Sequence, residues 1–163
     1  SIICRLNHNQ QPIKTTNNMN KTIPLISSGL TGPLGVLHLP RLWQKVSLEI
    51  AGKLNSDYPG IGGGYDSMVL DGLNLNKDAF VAFMQTKPTY NQLEAWVLEQ
   101  SGGAIDAAAV STLNDAITGY NHDDETRKEI LSACGIVDDS TILDAVNLNN
   151  LDDWQCFHSE EIA

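Results

Sequence analysis

The sequence is short of basic side chains: its 163 residues hold ten Lys and Arg against twenty Asp and Glu, a formal net charge of −10. A surface of that sign argues against a duplex-binding domain that works by neutralising phosphates, so no nucleic-acid partner is expected. Cysteine is scarce as well. Cys4, Cys134 and Cys156 are far apart, odd in number and in no C-x-x-C arrangement, which leaves neither a disulfide framework nor a zinc-site spacing. A reducing, cytoplasmic setting is the expectation. Long apolar runs are missing too: residues 23–26 are interrupted by Pro24 and fall far short of a signal-peptide core or the ~20 residues of a membrane span. A soluble chain with no membrane partner follows. Nor are there two alternating apolar runs joined by a hairpin turn, the pattern of a β-sheet domain.

What is present is a 42% hydrophobic content at the common size of one domain, enough to bury about 70% of the unfolded surface around a single core. The charge is polarised. Residues 1–60 hold six basic side chains (Arg5, Lys14, Lys21, Arg41, Lys45, Lys53) and two acidic ones (Glu49, Asp57), while residues 61–163 hold four basic and eighteen acidic ones.

Residues 1–35 are rich in Asn, Gln, Thr, Ser, Gly and Pro and sustain no apolar period, which predicts an irregular, partly mobile arm with little core of its own. Met19 offers a start within it, so residues 1–18 are expected to be an upstream extension. From residue 36 to 163 the pattern predicts one all-α domain, a compact orthogonal bundle of about six to eight short helices. The first helix has Pro40 in its opening turn and an apolar stripe of Leu39, Leu42, Val46, Ile50 and Leu54. Arg41, Lys45, Glu49 and Lys53 line its opposite face. A second helix is predicted from Tyr65 to Gly72. Asn76, the Thr89-x-x-Gln92 capping box, Asp106, and Asp123 or Asp124 mark four more helix starts, and Ser140 opens a last pair. An order shared by residues 69–96 and 130–154, each ending in Trp, raises an internal duplication against the ordinary likeness of capped helices.

Four clusters carry chemistry. In His38-Leu39-Pro40-Arg41-x-x-x-Lys45 two cations occupy the first turns of a helix, the end that already carries about +0.5 charge. Something negative must sit nearby. It is either a small anionic ligand, such as a phosphate or carboxylate held by Arg41 and Lys45, or a carboxylate of the acidic second half in an internal ion pair. Gly60-Ile61-Gly62-Gly63-Gly64-Tyr65-Asp66 allows close backbone approach to a ligand, but no strand precedes it and no Gly-Lys-Ser/Thr follows, so a hinge or close packing on a neighbouring helix is the stronger reading, with Asp66 as a cap. His122 beside Asp123 and Asp124 is either a general base or part of a helix cap, with too few convergent ligands for a metal site. Asp152 and Asp153 point some 100° apart on a helix and make poor co-ligands; Trp154 and Phe157 are expected to pin the chain end on the core. No cofactor is indicated.

The Leu39-Pro40-Arg41-x-x-x-Lys45 element belongs to a longer run from Gly32, followed by residues 51–54, 58–62 and Tyr65-Asp66, then by residues 88–96, 120–127 and 149–154. This pattern resembles a family of small bacterial proteins catalogued only as a domain of unknown function, over about residues 32–158. The resemblance implies a compact helical domain and carries no activity, cofactor or catalytic residue. Two functional readings follow from the residues: a small anionic metabolite bound by His38, Arg41, Lys45, Tyr65, Asp66 and His122, or a protein-protein or self-association module that uses a helical face or the basic arm. The first requires those six residues to converge on a concave, positive site.

Overall fold

The computed structural model describes residues 20–163, which form seven α-helices and no strand among the described residues. α1 (Leu39–Ile50), α2 (Tyr65–Gly72), α3 (Lys77–Met84), α4 (Tyr90–Gln100), α5 (Ala107–Thr118), α6 (Asp124–Ala133) and α7 (Ala145–Phe157) follow one another through short connections, and a π-helical turn (His158–Ile162) ends the chain. The all-α expectation holds. The expected extension at residues 1–18, with Cys4, Arg5 and Lys14, lies outside the described residues.

Local sequence starts most of the helices where expected. Asn76, Asp106 and Asp123 accept first-turn backbone N–H groups with their side chains, and Thr89 and Gln92 complete a reciprocal capping box. α1 is shorter than its apolar stripe. Gly52 adopts φ +68°, its N–H donates to the Glu49 carbonyl and that of Lys53 to the Leu48 carbonyl, which closes the helix after Ile50 and leaves Leu54 in the following loop. Asp144, rather than Ser140, opens the last stretch, as a single helix.

The main core joins Leu39, Leu42 and Val46 of α1 to Val69 and Leu70 of α2, Phe80 and Met84 of α3, Leu93 and Val97 of α4, and Leu113 and Ile117 of α5. α2 packs on α5 closely enough that a Cβ at Gly72 would meet the Leu113 side chain at 2.9 Å. A separate cluster of Ile130, Leu131 and Leu148 holds α6 on α7. Trp96 lies on Phe83 with ring centroids 4.9 Å apart, whereas Trp154 is 57% exposed, so the two Trp residues of the suggested duplication have different surroundings.

The described part of the arm is irregular but packed. Ile23 is buried with Leu54, Tyr58 and Cys156, and Thr22 exchanges backbone hydrogen bonds with Lys53 and Asn55. Val36 and Ser28 are also buried. These contacts predict that Ile23→Ala lowers unfolding free energy by about 2–4 kcal/mol in chemical denaturation; a change near zero would mean that the segment contributes nothing to the domain.

Candidate functional site

The polar face of α1 is the origin of the site. Arg41 and Lys45 are one helical turn apart, and this face is covered by residues 24–28, α2 and α7 instead of water: Arg41 is 5% exposed and Lys45 4%. Buried charge without a partner is costly. Arg41 meets Asp153 of α7 through two parallel hydrogen bonds, Nη1 to Oδ2 at 2.7 Å and Nη2 to Oδ1 at 3.0 Å, and Nη1 also donates to the carbonyls of Pro24 and Ile26. The Tyr58 hydroxyl donates to Asp153 Oδ1 at 3.0 Å. Burial pushes the Asp153 carboxyl above the usual range, against the pull of Arg41 and Tyr58.

Lys45 Nζ donates to Asp66 Oδ2 at 2.5 Å. The same carboxylate accepts from the Gly62 N–H at 2.7 Å and pairs with His38 Nε2 at 2.6 Å, while His38 Nδ1 lies 2.8 Å from the Ser28 hydroxyl. Burial opposes ionisation of Asp66, but the His38 hydrogen bond and the Lys45 charge win and hold its pKa at about 2. Burial lowers the pKa of His38, with Asp66 pulling the other way. A neutral ring then donates Nε2–H to Asp66 and accepts the Ser28 hydroxyl at Nδ1. His38 also has φ +68°, a left-handed backbone uncommon outside glycine, at the residue that turns the chain into α1.

These groups form the floor of a cavity of about 430 Å³. Its walls are the loop of Pro59, Gly62, Gly63 and Gly64, the start of α2, the start of α6 and the inner face of α7. The six residues singled out in the sequence, His38, Arg41, Lys45, Tyr65, Asp66 and His122, all line it. Their roles differ. Tyr65 presents its ring, because its hydroxyl donates to the Ile117 carbonyl at 2.7 Å. His122 lines the cavity just before the start of α6, bonded through Nε2 to Asn149 Oδ1 at 2.8 Å and edge-on to Tyr120; burial lowers its pKa. Its neighbour Asp123 caps α6. The glycine loop packs close to α1, since a Cβ at Gly60 would run into the Glu49 carboxylate.

Two expectations are corrected. The site is concave but not positive by count, because Arg41 and Lys45 share its lining with Asp66, Asp123, Asp152 and Asp153. Trp154 and Phe157 do not pin the chain end: both are exposed, and Asp152, Asp153 and Cys156 face inward. The demand of Arg41 for a buried anion outweighs the apolar preference of those rings. Asp153, Tyr58, Ser28 and Asn149 belong to the network but not to the six residues assigned to the ligand. A negative group near α1 was foreseen, but nothing local distinguishes Asp153, 112 positions from Arg41, among the many carboxylates. Among the described residues no group of three or more His, Cys, Asp or Glu is placed to hold a metal ion, and no helix is long and apolar enough to cross a membrane.

Fold and site together define a small all-α domain built around a cavity floored by paired buried charges. The chain belongs to the family described as a domain of unknown function (DUF5069), which it matches over residues 30–153. That span contains all six candidate residues and Asp153, and leaves out Ser28. No curated protein and no solved structure matches the chain.

The lowered pKa of His38 has a definite sign in stability. Below the ordinary histidine range, near 6.5, the unfolded chain takes up a proton that the buried ring resists, so stability falls as pH drops. Asp66 extends the loss: its stabilising charge is complete above the unfolded carboxyl pKa and disappears as pH falls towards about 2. Denaturation series from pH 8 to about 2 should show this decline, with a shallower slope between pH 6.5 and 5 in His38→Gln; an unchanged slope would place the titration elsewhere.

Proposed function

We propose that the cavity binds a small polar metabolite whose anionic or carbonyl oxygen sits on Lys45, with His38, Asp66 and Arg41 holding the floor and Tyr65 and His122 on the walls. One observation carries this reading. The Lys45 ammonium has three N–H donors, and among the described residues only Asp66 accepts from it. A buried amine with two donors to spare, on an open cavity of the size that takes small ligands, is arranged to receive an acceptor. The acidic count of the lining favours a ligand with one oxygen-rich end over a polyanion.

Arg41 is a structural clamp in this reading, since its bonds to Asp153, Pro24 and Ile26 hold the arm and α7 on α1. Lys45→Met is therefore the informative variant. Thermal-shift screening of carboxylated, phosphorylated and carbonyl compounds is expected to find some that raise the melting temperature by several degrees, an effect lost in Lys45→Met. An equal effect in both proteins would contradict the proposal. The exposed Trp154, Phe157 and Ile162 along α7 and the terminal turn support the second reading, docking of a protein partner or a second copy. Concentration-dependent mass without any ligand effect would favour it. The free thiol of Cys134 supports a reducing, cytoplasmic setting.

A further inference from the structure

Lys45 is the only buried lysine among the described residues, and it lies where an incoming molecule would reach it. Its nitrogen keeps one hydrogen on Asp66 and has two that no described residue accepts. We propose that Lys45 condenses with a small aldehyde, ketone or 2-oxo acid to form an imine in this cavity. The inference rests on the ligand-binding reading above and names the chemistry of the ligand.

The stoichiometry fits the hydrogen bonds. The ammonium first gives one proton to water in the open cavity; the neutral Lys45 nitrogen then attacks the carbonyl carbon, a C–N bond forms, and the carbonyl π pair passes to oxygen, which takes up that proton. The C–O bond then breaks as the nitrogen lone pair forms C=N. Counted from the ammonium, two nitrogen-bound hydrogens depart with the carbonyl oxygen as water and one remains on a protonated imine. The positive charge is conserved, and the retained hydrogen is the one that Asp66 already accepts. No outside acid, base or oxidant is consumed. Asp66 can serve as counter-ion to the ammonium and the iminium alike, because Gly62 and His38 fix the carboxylate and Ser28 fixes His38. His38 and Gly62 are positioning groups here. Asp66 and Lys45 would touch the reacting atoms.

Attack needs the neutral amine, and an ordinary surface lysine is neutral in only about one molecule in 10³ at pH 7. Burial lowers the Lys45 pKa, partly offset by Asp66, so its neutral share exceeds that of a lysine standing in water. The paired charges of the floor also deny bulk water to the nitrogen from behind.

Reductive trapping tests the proposal on the whole chain. Pyruvate and, separately, glyceraldehyde are added with sodium cyanoborohydride at neutral pH, and adducts are read by intact mass and peptide mapping. The expected result is one dominant adduct on Lys45, formed faster there than on any other lysine. Lys45→Arg keeps a cation beside Asp66 but cannot form the imine, so it should lose that adduct while circular dichroism shows the same fold. Labelling spread evenly over the exposed lysines, or unchanged in Lys45→Arg, would overturn the proposal. If Lys45 is never trapped yet ligand stabilisation still depends on it, the imine fails and the pocket stands; if neither is seen, both fail.

Discussion

Two cations on the buried side of one helix are the constraint around which the rest is arranged. The period of α1 places Arg41 and Lys45 away from its apolar stripe, yet the bundle covers that side as well, and a buried charge is tolerated only with a partner of opposite sign and satisfied hydrogen bonds. Asp153 arrives from the last helix and Asp66 from the second. The pairing of Arg41 with Asp153 turns the inner face of α7 polar and sends Trp154 outward. The same guanidinium fastens the carbonyls of Pro24 and Ile26, so one side chain ties the irregular segment before α1 to the C-terminal helix.

The cavity is a consequence of that arrangement. Helices that meet through apolar side chains interdigitate until little space remains. α1, α2 and α7 meet here through carboxylates, a guanidinium, an ammonium and an imidazole, whose positions are dictated by hydrogen-bond geometry and not by close packing. Space is left above them, bounded by the glycine loop and the start of α6. Because the lining groups are bonded mainly to one another, the floor is pre-organised. Lys45 is the exception, with donors still to spend.

Helix starts were legible because they are written in four or five consecutive residues. Asn76, Thr89 with Gln92, Asp106 and Asp123 each satisfy first-turn N–H groups by themselves. The candidate residues were legible in part for a similar reason: two cations at the positive end of a helix dipole demand a counter-charge. Which carboxylate answers is a tertiary matter. Asp66 was among the candidates only as a neighbour of the glycine loop, and Asp153 was passed over because adjacent acids on a helix look poor as co-ligands. They are not co-ligands; only Asp153 pairs with Arg41. The packing of Ile23 was hidden for the complementary reason, since a single apolar residue in a polar segment has no period to betray it.

The polarised charge of the sequence thus has a structural meaning in Arg41 and Lys45, two cations from the first 60 residues neutralised inside the fold by carboxylates from later elements. A double-mutant cycle on Arg41 and Asp153, read by chemical denaturation, tests this most directly. Arg41→Met and Asp153→Leu should each cost about 3–5 kcal/mol by leaving a buried charge alone, while the double variant should recover much of that loss. Single variants within about 0.5 kcal/mol of the parent, or losses that simply add in the double variant, would contradict the account.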